Sequence, residues 1–153
     1  MAKHSRADRA AGRFDAFRFA HDRDSLGGTV NVAALPRLGD LLIEGPVLVA
    51  WRIVGTTDAM GRPALAIELD GEVPLECQRC LNPVAWPVHH RAELVLARDE
   101  AELARLDADS DSEVLLAETP LDPATLVEDE LVLALPYAPR HADGKCVAPK
   151  DDE

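Results

Sequence analysis

Aromatic residues are scarce in this chain of 153 residues: three Phe, two Trp and one Tyr make up 4% of it. Cysteine is scarcer still, and its count of three is odd. With two of the three in a Cys-x-x-Cys pair, that count does not suit a secreted disulfide framework; it suits metal, redox or plain core roles in a reducing compartment. No apolar run approaches the roughly 20 residues that cross a bilayer, and no hydrophobic core follows the basic start Met1-Ala-Lys-His-Ser-Arg-Ala-Asp-Arg9. A cytoplasmic protein with no membrane contact is therefore expected. The sequence also lacks a Gly-x-Ser-x-Gly elbow, a Walker loop, a dinucleotide glycine fingerprint and a His-Glu-x-x-His pair, so no familiar catalytic constellation is present and a non-enzymatic role is expected.

Positive charge is in short supply too, with 16 Lys and Arg against 28 Asp and Glu, a net charge of -12. Its distribution matters more than its size. Residues 1–40 hold seven Lys or Arg and five Asp, whereas Asp99 to Glu130 holds twelve acidic residues and only Arg105 against them. Nucleic-acid affinity comes largely from cations that displace condensed counterions, so such a surface repels a phosphate backbone. Any contact with RNA is expected to be indirect. The acidic excess serves solubility or offers a face to a basic partner such as a ribosomal protein or an assembly factor.

With 47% hydrophobic and 29% charged residues, the composition predicts one α+β domain with an ordinary core. Residues 1–25 read as a basic, partly flexible N-terminal arm whose Phe14, Phe17 and Phe19 are more suited to packing on the domain than to stacking on bases. A short helix is expected after Asn31, a possible N-cap, with Leu35, Leu38, Leu41 and Leu42 on one face. Val47, Val49, Trp51 and Ile53 then alternate, as do Leu65, Ile67 and Leu69, around the turn residues Gly55 to Gly61; this predicts an antiparallel hairpin. Two further strands are expected at Val73–Cys77 and Val84–Leu96. The result is an antiparallel meander-like sheet or partly open barrel with a few packed helices and no parallel crossover. Residues 98–112 read as a mobile acidic insertion with at most a frayed helical turn, and Glu113–Ala117 as a returning strand. Asp122 as N-cap and Pro123 at the first helical position open the clearest helix, which Pro136 stops. A flexible tail is expected at 148–153, leaving 26–147 as the domain.

Cys77-Gln-Arg-Cys80 at a turn sets two thiols on one side of a knuckle, which is half of a structural zinc site. His141 and Cys146 are the candidates for the other half, with His89 and His90 as weaker substitutes; reduced core cysteines are the alternative. A thiol redox role is weaker, because the pair does not open a helix that would lower a thiol pKa, and Glu76 opposes the help of Arg79. Arg79 and the run Glu128-Asp129-Glu130 are candidate partner contacts, the latter read as a solvated or partner-facing helix surface and not as a Mg²⁺ site.

Two separated motifs, Leu75-Glu-Cys77-Gln-Arg-Cys80-Leu with Pro83 and Leu126-Val-Glu-Asp-Glu130-Leu-Val-Leu-Ala-Leu135-Pro136, resemble the two signatures of the YceD family. Pro139, His141 and Cys146 are similar to the stretch that follows in members with a distal cysteine, and Val30 to Leu42 looks like the family's N-terminal part, so that the likeness covers most of residues 28–147. The sequence departs from many members after Cys146, where they continue into a basic, apolar tail and this chain has Lys150-Asp-Asp-Glu153. The resemblance implies a part in the accumulation of large-subunit (23S) ribosomal RNA and ribosome biogenesis, with no enzymatic activity. The alternatives are a zinc-binding or zinc-responsive module and a thiol redox protein.

Overall fold

The computed structural model describes residues 12–38, 47–109, 112–142 and 146. Expectations for residues 1–11, Leu41, Leu42 and the tail 148–153 lie outside them. A five-stranded mixed sheet, not closed, carries the fold, in the order β1 (Ser25–Asn31), β2 (Leu48–Thr57), β3 (Pro63–Glu76), β4 (Pro83–Ala97) and β5 (Glu113–Leu116). Among the described residues three α-helices accompany it: α1 (Ala16–His21), α2 (Glu100–Asp109) and α3 (Pro123–Ala134). The class is α+β.

Strand alternation decides the core. Val49, Trp51 and Ile53 of β2 face the same side as Leu65, Ile67, Leu69, Val73 and Leu75 of β3, and all are buried. The hairpin pairs with Ile53 opposite Ile67, and Asp58 closes its turn by accepting from the backbone N–H groups of Met60 and Arg62. Gly61, at φ +80°, supplies the left-handed residue that this turn needs. β3 is one strand of 14 residues, where two shorter strands were expected. Gly71 does not interrupt it because it packs against Val49, with Val88 opposite on β4.

Phe14 and Phe19 lie in the core, rings 4.7 Å apart between centroids. Asp15 caps α1, accepting from the N–H groups of Phe17 and Arg18. The helix can lie on β2 only because residue 55 is glycine: a Cβ there would stand 2.2 Å from the Phe19 carbonyl oxygen. Further on, Phe14 and Leu121 exchange two backbone hydrogen bonds, joining this segment to the approach to α3.

Two expectations are corrected. Among the described residues the segment after Asn31 holds a 3₁₀ turn, Val32–Ala34, in place of an α-helix, and Gly27 to Asn31 belong to an edge strand on β2. Asn31 does cap that turn through Ala33, but it also accepts from the distant Val47 N–H and so pins the crossing from β1 to β2. Leu35 and Leu38 stand at helical spacing, but Leu35, directly before Pro36, takes an extended backbone that ends the turn, while Ser25 to Asn31 pair along β2. Secondly, 98–112 is no loose insertion. Asp99 accepts from the Glu102 N–H and Glu102 reaches back to the Arg98 N–H, a reciprocal cap. Leu103 and Leu106 then pack with Val95, Ala97, Val114 and Leu116 on the sheet face opposite the main core. β5 runs parallel to β4, so β4, α2 and β5 form the parallel crossover that was not expected.

Candidate metal centre

The long β3–β4 pairing ends at residues 76 and 83, and the six residues between turn back as a knuckle. Cys77 N–H donates to the Asn82 carbonyl and Leu81 N–H to the Cys77 carbonyl. Leu81 holds φ +66°, a left-handed conformation that costs a side-chain-bearing residue about 1–2 kcal/mol, and its side chain is exposed. The turn leaves Cys77 buried and Cys80 half-buried on the same side.

The other half arrives from far along the chain. Asp122 caps α3 by accepting from Ala124 N–H, Pro123 begins the helix, and Leu135 ends it before Pro136. The chain then folds back under the knuckle, where the Pro139 carbonyl accepts from Gln78 N–H at 2.8 Å. That brings His141 and Cys146 to the thiols. Cys77 Sγ and Cys146 Sγ are 3.7 Å apart, Cys80 Sγ is 3.5 Å from His141 Nδ1, and Cys146 Sγ is 3.7 Å from the same nitrogen. All four donor atoms lie within 4.8 Å of one another.

These separations can be tested against a metal. A tetrahedral ion with metal–sulfur bonds of about 2.3 Å and a metal–nitrogen bond of about 2.0–2.1 Å places sulfurs about 3.8 Å apart and sulfur and nitrogen about 3.6 Å apart. Three of the edges agree. The His141 ring is also oriented as a ligand requires, with Nδ1 toward the thiols and Nε2 3.0 Å from the Pro83 carbonyl, which can take its proton. Three sulfurs and one nitrogen would fill a tetrahedral shell and leave no open position for a substrate.

The same closeness sets the protonation of the cluster. Burial pushes the Cys77 thiol up, but the backbone N–H groups of Cys80, His141 and Arg79, together with the His141 ring, outweigh it and bring it down to about 5. Burial first, and then the neighbouring Cys77 and Cys80, push Cys146 up to about 11. His141 is raised by its hydrogen bond to Cys77, against the effect of burial, with help from the Pro83 carbonyl and Cys80. Without a metal, the cluster near neutral pH holds the Cys77 thiolate beside an imidazole that favours its proton.

The other candidate residues lie elsewhere. His90 Nε2 is 2.7 Å from Glu130 Oε1, and His89 pairs with Asp70, so neither histidine joins the cluster. Glu128 and Glu130 are buried, which corrects the reading of Glu128-Asp129-Glu130 as a solvated face. Glu128 accepts from the Arg37 N–H at 2.7 Å, and the Arg37 guanidinium pairs with Glu128 and Asp129. Charged side chains are buried only when paired, and these pairs fasten α3 to the 3₁₀ segment and to β4. Asp129 is half-buried and Arg79 is exposed at the knuckle tip. Sequence reasoning missed Arg37 and His90 as partners, since 91 and 40 residues separate them from Glu128 and Glu130 and no local pattern connects them.

The family model described as "Large ribosomal RNA subunit accumulation protein YceD" matches residues 65–153, more than half of the chain. The chain belongs to the YceD family. The match contains β3 from Leu65 onward, the knuckle, α3, His141 and Cys146, so every donor of the YceD centre lies in the shared region. The likeness of Val30 to Leu42 falls outside it. The family description points to a role in large ribosomal RNA subunit accumulation. No curated protein and no solved structure matches the chain. No helix among the described residues is long and apolar enough to cross a membrane.

Proposed function

We propose that this YceD chain is a non-enzymatic cytoplasmic factor that supports the synthesis, processing or accumulation of large-subunit ribosomal RNA, and that it acts through a ribosomal protein or assembly factor while touching the RNA at most indirectly. Its Cys77, Cys80, His141 and Cys146 cluster holds a structural zinc ion. The observation that carries the reading is the meeting of these four donors within 4.8 Å of one another, three of their separations at tetrahedral values, inside the region matched by the family. A filled shell suits a structural ion, since catalytic zinc keeps a position open. The net charge of -12 argues for a basic protein as the partner over RNA itself.

Two measurements test it. Depleting the protein in its host should lower 23S relative to 16S ribosomal RNA, restored by the wild-type gene but not by Cys77→Ala; an unchanged ratio refutes the ribosomal role. Elemental analysis of the purified chain should find one zinc per molecule, and much less in Cys146→Ala; metal-free wild type refutes the zinc site. A thiol redox role is favoured by the surroundings of Cys77, whose sulfur lies 3.4 Å from the Arg79 N–H and 3.7 Å from Cys146 Sγ, and predicts that Cys77 and Cys80 react rapidly and reversibly with a disulfide reagent.

A further inference from the structure

Beside the knuckle lies a cleft of about 590 Å³ whose walls are mostly apolar: Leu38, Leu75, Val132, Leu135, Pro136 and Tyr137. Its floor is the end of β3, and one wall is the segment that carries Pro139 to its hydrogen bond with Gln78. The chain's single tyrosine, Tyr137, stands at this cleft fully exposed, while Phe14, Phe19 and Trp51 are buried. Val132 is 41% exposed, and Leu133, at 63%, extends the apolar surface along the last turn of α3. Exposed aromatic and aliphatic side chains grouped at a concavity are the usual anchor of a protein contact. A small polar ligand would find few groups converging on it. Gln78 uses its amide on the Glu76 carbonyl, and Arg37 is already shared between Glu128 and Asp129.

Charge narrows the occupant. Of the residues lining the cleft, Arg37 and Glu76 are of charged type; the Arg37 charge is more than balanced by its two carboxylates, and Glu76 makes no ion pair among the described residues. Together these four groups sum to +1 and -3, a net -2. We infer that the cleft between the knuckle and the end of α3 docks an apolar segment of a partner protein, with a lysine or arginine of that segment set against Glu76. This rests on the reading that the chain works through a protein partner, and adds where the partner binds and with what chemistry.

Panning a random peptide display library on the full-length wild-type chain tests it, with dissociation constants of the selected peptides measured by fluorescence anisotropy. The selected peptides should join aromatic or aliphatic residues to Lys or Arg. Their binding should weaken at least tenfold in Val132→Asp and in Tyr137→Ala, and several-fold in Glu76→Gln. Met60→Asp should leave it unchanged, since exposed Met60 lies in the turn at the opposite end of β3. No selection, an acidic consensus, or binding that survives both Val132→Asp and Tyr137→Ala overturns the inference. So does dimerisation of the chain that Val132→Asp abolishes, which would put a second copy in the cleft. If the cleft fails while depletion still lowers 23S RNA, only this inference falls; the reverse pattern removes the ribosomal role and keeps the cleft.

Discussion

Removing the His90 imidazole should destabilise the whole domain, although His90 belongs to neither the metal centre nor the cleft. It stands on the core face of β4, opposite Leu69, and meets Glu130 of α3 at 2.7 Å. The Glu130 side chain is 4% exposed and that of His90 24%. His90→Ala therefore leaves the buried Glu130 carboxylate without its imidazole partner. Leaving a buried carboxylate without its hydrogen-bond donor costs about 1–3 kcal/mol, more for a charged group, which gives about 2–3 kcal/mol here. In a domain of this size that corresponds to a melting temperature lower by about 5–10 °C. Urea unfolding of wild type, His90→Ala, Glu130→Ala and the double variant at neutral pH forms a cycle whose coupling should exceed about 1 kcal/mol. A coupling below about 0.5 kcal/mol, with His90→Ala as stable as wild type, would refute the view that this pair fastens α3 to the sheet.

Three further outcomes follow from the packing and the charges. Desolvation by its surroundings, and then the nearby Glu130, raise the carboxyl of exposed Glu113 above its ordinary 4.5, against the pull of His90. The folded chain thus keeps that proton to higher pH than the unfolded one, and stability is lost as pH rises from 4.5 through the raised value; Glu113→Gln should flatten the urea midpoint in that window, and equal slopes for the two proteins would count against it. Gly55→Ala should cost about 3 kcal/mol or more, because its Cβ would strike the backbone of Phe19, and a circular-dichroism melt indistinguishable from wild type would show that α1 does not press on β2 there. Asp99→Ala should remove about 1 kcal/mol from α2, seen as faster hydrogen exchange of the Leu103 and Leu106 amides with little change in the main core; unaltered exchange would mean that the cap contributes nothing.

What was legible in the sequence was mainly local. Cys77-Gln-Arg-Cys80 between two alternating runs announces a turn with two thiols, and Asp122-Pro123 announces a helix start, because each signal lies within a few residues of the structure it causes. His141 and Cys146 could be proposed as donors from residue type alone, but only the return of the chain past Gln78 brings them together. The errors have physical reasons as well. Leu35 and Leu38 stand at helical spacing, yet Pro36 holds the residue before it in an extended conformation, and that local restriction ends the turn. The acidic run from Asp99 read as disorder because its charge was weighed above Leu103, Leu106 and the Asp99–Glu102 cap, which were visible. Glu128 and Glu130 looked solvent-facing because nothing nearby in sequence shows that an arginine and a histidine wait for them across the fold.

The joining of Gln78 to Pro139 and of Cys77 to Cys146 also bears on how the chain is made. Synthesis delivers the two knuckle thiols at residues 77 and 80, and another 61 residues must follow Cys80 before His141 exists to meet it. Once β4 has been made within that interval the β3–β4 hairpin can form, since its partners are adjacent in sequence, but the thiol–imidazole cluster cannot. Assembly of the centre is thus a late event that marks the nascent chain as having placed α3 correctly. A ribosome-stalled intermediate ending just short of residue 141 should present both knuckle thiols to alkylating reagents, and one carrying residue 146 clear of the exit tunnel should protect them.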